Sequence, residues 1–185
     1  MKKLSLVMAA AVALSLAGST AKAAGITASG TLAVTATVTS QIYMTFETDA
    51  SGVSLTNSGS NAATLPFGSV SAFSAPPTNV TLSLQASTFT ISTPVDVNVR
   101  ISNPAAASAT CTLKAQLASA DATNTWTVGG IAVTSASAAT ISSTLAYQTG
   151  NTTTGGVSEA VAIAVPYTEA ATTISNTINF TATSN

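Results

Sequence analysis

The chain has no histidine, one cysteine and one tryptophan, and its 185 residues include only 5 basic and 6 acidic side chains. Without histidine it lacks the usual general base, the Ser-His-Asp and Cys-His nucleophile pairs and the usual zinc sites. A lone cysteine, Cys111, cannot form an intramolecular disulfide. It shares alternate positions with Leu113, Ala115 and Leu117, so it reads as a small buried hydrophobe rather than a reactive thiol. Lys114 has the opposite parity on that stretch and is expected in solvent. A lysine that activates a serine or forms a side-chain cross-link needs a desolvated setting instead.

The acids are as sparse as the bases. A glycosidase-like pair would have to be drawn from Glu47, Asp49, Asp96, Asp121, Glu159 and Glu169, which are scattered along the chain. Asp96 alternates with Val95 and Val97 and should face outward, while Asp121 and Glu169 fall in apparent loops. The segment Glu47-Thr48-Asp49-Ala50-Ser51-Gly52 spaces oxygen ligands before a glycine, as calcium loops do. Ser58 stands where such a loop needs its closing glutamate, and a polar turn accounts for the same residues. The expectation is a protein that is not an enzyme and carries no metal and no cofactor.

What is abundant is Thr, Ser, Ala, Asn and Gly. Disorder would require few apolar residues and high net charge, whereas this chain is 46% apolar and 6% charged. Alanine inflates the apolar fraction, so a thin core is expected. Met1-Lys2-Lys3, an apolar run from Leu4 to Leu16 and the exit Ala21-Lys22-Ala23 form a secretory signal peptide over residues 1–23. The run is shorter than the roughly 20 residues a membrane-spanning helix needs. No cysteine near the exit marks a lipid anchor, and no second hydrophobic tail follows, so no membrane insertion is expected after signal removal. Past the signal the only cations are Arg100 and Lys114, too few for nucleic acid or an anionic membrane surface. The expected location is secreted or cell-surface, through an exporting compartment.

Period-two alternation dominates the rest. Ile26, Ala28, Gly30, Leu32, Val34, Ala36 and Val38 line one face of an extended segment that would reach ~40 Å at about 3.3 Å per residue, longer than most strands. It reads as two strands end to end, or as a core strand with an N-terminal extension. Further alternating runs include Ile42–Phe46, Leu65–Val70, Val80–Leu84, Val95–Ile101 bounded by Pro94 and Pro104, Ile141–Tyr147, Val157–Val165 and Ile174–Ala182. Trp126–Val133 reads as a hairpin with a Gly129-Gly130 turn, pairing Val128 with Ile131 and Trp126 with Val133. No apolar stripe of helical period persists outside the signal. About ten short strands with polar turns predict an all-β, antiparallel sandwich: residues 24–38 an extended segment, residues 39–185 the sandwich domain.

Gly30-Thr-Leu-Ala-Val-Thr-Ala-Thr-Val38, Leu65-Pro-Phe-Gly-Ser-Val70 and Ile174-Ser-Asn-Thr-Ile-Asn-Phe-Thr-Ala182 resemble secreted bacterial fimbrial subunits, above all the archaic chaperone–usher and spore-coat-U-like pilins. The resemblance implies an Ig-like sandwich lacking one strand, filled first by a periplasmic chaperone and then, at an usher, by the N-terminal segment of another copy. That donor strand would be Ile26 to about Val34, with Ile26, Ala28, Leu32 and Val34 entering the groove and Gly30 allowing close approach. The product would be a homopolymer with a structural or adhesive role. The residues alone leave open a monomeric secreted sandwich that binds carbohydrate or protein, in which residues 26–38 complete their own sheet.

Overall fold

The computed structural model describes residues 29–102, 110–147 and 156–185. The chain divides into two units, Met1–Ala36 and Thr37–Asn185. In the first, the described residues 29–36 belong to no helix or strand and are exposed.

The second unit is an antiparallel β-sandwich. Its strands are β1 (Gln41–Thr48), β2 (Thr81–Leu84), β3 (Thr88–Ser102), β4 (Thr110–Leu117), β5 (Thr125–Val128), β6 (Ile131–Val133), β7 (Ala139–Ala146), β8 (Val157–Pro166) and β9 (Ile178–Ser184). One sheet has the order β1-β3-β8-β5-β6, with β2 pairing the N-terminal part of β3 on the edge that β1 occupies further along. The other has the order β7-β4-β9. Nine strands among the described residues stand where sequence predicts about ten, because Leu65–Val70 and Ile174–Thr177 are extended loops that pack apolar side chains on the core without joining a ladder.

The long β3 departs from expectation. Its N-terminal part continues through Pro94, which sequence places just outside the strand. The reason is a gap in the neighbouring edge: β1 ends opposite Val95 and β2 begins opposite Ser92. No strand there asks Pro94 for the N–H it lacks, while its other side faces Ala160 on β8. The turn after β1 fills the gap. Val53 N–H donates to Thr93 Oγ1 at 2.9 Å, and Gly52 lies so close to the Pro94 carbonyl that any Cβ would collide.

The inward faces build a core in two parts. Val97, Val99, Ile101, Cys111, Leu113 and Leu145 pack at one end. Ile91, Val95, Ala115, Leu117, Trp126, Val128, Val161, Ile163 and Val165 fill the larger part. Each fully buried Val, Leu or Ile contributes about 1.5–3 kcal/mol relative to exposure, and β-branched residues suit the extended backbone that places them. Cys111 is completely buried with a free thiol, and Lys114 on the same strand is exposed, as the alternation predicts. The β5–β6 hairpin has the expected register, with Trp126 opposite Val133 and Val128 opposite Ile131. Gly129 and Gly130 both have positive φ, 56° and 78°, which matches a turn of the mirror-image type that tight hairpins favour. Ile131 sits at the rim and is exposed.

Candidate functional site

The smaller sheet has two outer edges, and among the described residues no strand pairs with the far side of either β7 or β9. β4 runs down its centre, and its inward residues Cys111, Leu113, Ala115 and Leu117 are almost fully sealed. On the β7 edge, Leu145 is sealed and Ile141 is half-buried. On the β9 edge, the inward residues Ile178, Phe180 and Ala182 are each only half-buried. β9 pairs with β4 from Ile178↔Leu117 to Ser184↔Cys111, and among the described residues no strand pairs with its other edge. The approach to β9 is tied to the same side: Ala118 N–H donates to Thr177 O at 2.8 Å, and Asn176 Nδ2 donates to Ser119 O at 2.9 Å.

Beneath that edge lies a groove of about 600 Å³. Val95 of β3, Val161 and Ile163 of β8 and Trp126 of β5 form its floor, with Ile174, Ile178 and Phe180 along one wall. Phe46, which meets Phe180, completes the lining together with Leu55, Leu65 and Phe67, held by a loop that folds back on β1. Phe46 N–H donates to Ser60 O at 2.9 Å, Gly59 N–H donates to Phe46 O at 2.7 Å, and Thr56 and Thr64 exchange a pair of bonds across the loop. Gly68 turns the chain past Phe67 with φ at 75°, a backbone state glycine adopts at little cost.

One groove-lining residue is ionisable. Glu159 lies between Val157 and Val161 on β8 and shares their inward face. Its carboxylate reaches toward Gly129 and Ile141, and among the described residues no group donates a hydrogen bond to it. Burial pushes its carboxyl above the ordinary glutamate value. Alternation makes its parity legible, since Glu159 falls in step with the apolar positions around it, but no sequence pattern shows that a groove lies over it.

Asp49 and Asp121 are held in hydrogen-bonded turns. Asp49 Oδ1 accepts from Ser51 N–H and Ser51 Oγ, both at 2.7 Å, and its Oδ2 accepts from Ser158 Oγ at 2.6 Å. The Ser158 hydroxyl above all, then Ser51, lowers the Asp49 carboxyl to about 2. Ser58, at the position of the absent closing glutamate, accepts from Thr48 N–H at 3.0 Å. The Glu47–Gly52 segment is thus a hydrogen-bonded polar turn that ties the β1 end to β8. Asp96 lies on the outward face, and burial, followed by the neighbouring Asp49 charge, raises its carboxyl. Asp121 holds the loop before β5, accepting from Thr123 N–H, Asn124 N–H and Trp126 Nε1.

Of the five residues predicted as a donor strand, Ile26 and Ala28 lie outside the described residues. Gly30, Leu32 and Val34 are exposed and in no strand, with Leu32 at 88% and Val34 at 80% exposure. Residues 29–40 have the alternation of a strand but no ladder among the described residues. A second apolar feature is an aromatic stack at the loop beyond β8. Phe73, 82% exposed, lies parallel to Tyr167 with ring centroids 5.7 Å apart, and Phe89 tilts against the same tyrosine. No protein-family model, curated protein or solved structure matches the chain.

Proposed function

We propose that this chain is an exported structural subunit that assembles with other copies of itself by β-strand complementation. The observation that carries the reading is the open edge of β9 above a groove with an apolar floor and a partly polar rim at Thr64, Thr173, Ser175 and Asn176, with Ile178 and Phe180 left half-buried. An incoming extended strand supplies main-chain bonds to β9 and alternate side chains to the groove. Residues 26–34 have the required character: apolar at every second position, uncharged throughout, and already unpaired over their described part. Nine residues span about 30 Å at roughly 3.3 Å each, enough to run the length of the seven-residue β9. Donor and groove occupy different parts of one chain, so the contact is heterologous and propagates as a filament. An unfilled groove in transit is the feature a periplasmic chaperone would cover and an usher would exchange.

Removing residues 24–35 from the exported chain should leave a groove that binds an added peptide of residues 24–38. The same peptide with Leu32→Asp and Val34→Asp should not bind, because charged side chains would enter apolar pockets unpaired. Equal binding of both peptides would set the reading aside.

The Phe73–Tyr167 stack favours a second reading, a monomeric binding module whose exposed rings present a platform to a sugar or protein ligand. Phe73→Ala should then abolish ligand binding while leaving assembly untouched.

A further inference from the structure

Strand complementation would place Glu159 under the incoming strand. The side chain enters the groove from its floor, between Val95 of the neighbouring β3 and Gly129 at the β5–β6 turn. Glu159 lines the groove and no described residue donates a hydrogen bond to it, so water in the groove is a partner its carboxylate can reach. A docked strand displaces that water. A carboxylate sealed among apolar groups without a cation is expensive and is held as the neutral acid instead.

Two observations leave no side-chain cation, among the described residues or in the incoming segment, as the alternative. Among the described residues, none of the elements packed around Glu159 turns an ionisable side chain toward it. Phe46 of β1, Val95 of β3, Val128 of β5, Ile141 of β7 and Phe180 of β9 are all apolar. Glu47, Asp96 and Arg100 lie on the opposite face of their strands, and Lys114 is on the solvent side of β4. The incoming segment brings none either: residues 24–40 contain no charged side chain.

Resting on the complementation reading, we infer that filling the groove takes up a proton at Glu159, which makes assembly acid-favoured. Burial already raises this carboxyl in the open groove, and docking raises it further. The sign follows from linkage. Affinity for the donor is greatest below the open-groove pKa, falls about tenfold per pH unit up to the docked pKa, and is flat and lowest above it. The device keeps subunits apart at neutral or alkaline pH and joins them where protons are abundant.

The test compares the chain from residue 24 with its Glu159→Gln variant, measuring assembly by sedimentation from pH 4 to pH 8. Calorimetry in buffers of different ionisation enthalpy adds a reading that needs no variant. The wild type should assemble at least tenfold more tightly at the acid end and take up about one proton per subunit joined within the titrating window. Glu159→Gln should assemble at every pH as the wild type does in acid. A variant with the wild-type pH profile, or no proton uptake, would overturn the role of Glu159 while leaving complementation standing. Weaker assembly of Glu159→Gln at neutral pH would also overturn it, because the ionised carboxylate would then be meeting a cation, such as the α-amine of residue 24. Assembly that never occurs, or that persists without residues 24–35, would overturn complementation and this inference together.

Discussion

Phe46 on β1 and Phe180 on β9 meet across the two sheets with ring centroids 5.1 Å apart and planes tilted by 57°. The pair sits where the two parts of the core join, and both rings also face the groove. It links the two sheets beside the unpaired edge of β9. Tilted aromatic contacts of this kind add about 0.5–1.5 kcal/mol beyond the area they bury.

The first prediction concerns that pair. Phe180→Ala should cost about 2–3 kcal/mol in urea unfolding, less than a fully buried phenylalanine because the ring is only half-buried. Phe46→Ala should cost a similar amount. In the double variant the losses should fall short of additive by about 1 kcal/mol, the signature of a direct contact. Strict additivity would mean that the rings stabilise their own strands independently.

Asp121 and Trp126 carry the second. Trp126 Nε1 donates to Asp121 Oδ2 at 2.8 Å, while Oδ1 accepts from the Thr123 and Asn124 amides. Burial alone would raise this carboxyl, but the bonds from Asn124, Trp126 and Thr123 outweigh it and bring it down to about 2. A depressed carboxylate stabilises the fold fully above its unfolded value of 3.8 and loses that contribution as pH falls to about 2. Asp121→Ala should therefore cost about 1–3 kcal/mol at neutral pH. Tryptophan fluorescence during unfolding should show wild type and variant converging as pH drops through that window. A gap that stays constant down to pH 2 would mean the carboxylate's charge plays no part.

Gly129 and Gly130 form one turn yet should respond differently. Both have positive φ, so any side chain is strained there. At Gly129 an added Cβ would also run into the Glu159 carboxylate and crowd Ile141, whereas Gly130 has open space around it. Gly129→Ala should cost more than Gly130→Ala by up to about 1 kcal/mol, because the Glu159 side chain must swing aside and Ile141 must give slightly, read from melting temperatures. Pairing Gly129→Ala with Glu159→Ala should recover most of the difference. Equal costs at both glycines would point to backbone strain alone.

Much of this fold was legible where local chemistry settles the outcome. The Gly-Gly turn sets the register of Trp126 with Val133 regardless of the rest of the chain, and the parity of Cys111 and Lys114 sorts inside from outside on β4. What alternation does not reveal is whether an extended segment has a partner. Leu65–Val70 and residues 29–38 both alternate, yet neither joins a ladder among the described residues, because a strand is defined by a neighbour that sequence does not name. Pro94 was misplaced for the same reason: its missing N–H matters only if a strand lies opposite, and the edge is broken there. The groove is likewise a property of what fails to pair with β9. The polar turn at Glu47–Gly52 was readable from composition, but the Ser158 hydroxyl that binds Asp49 lies 109 residues away.

The central claim is that the free edge of β9 receives residues 26–34 of another copy. Sedimentation velocity on the chain from residue 24, with and without residues 24–35, addresses it directly. Complementation predicts concentration-dependent oligomers from the longer chain and a monomer from the shorter one, with oligomers suppressed by excess peptide of residues 24–38. A longer chain that stays monomeric and ignores that peptide would contradict it.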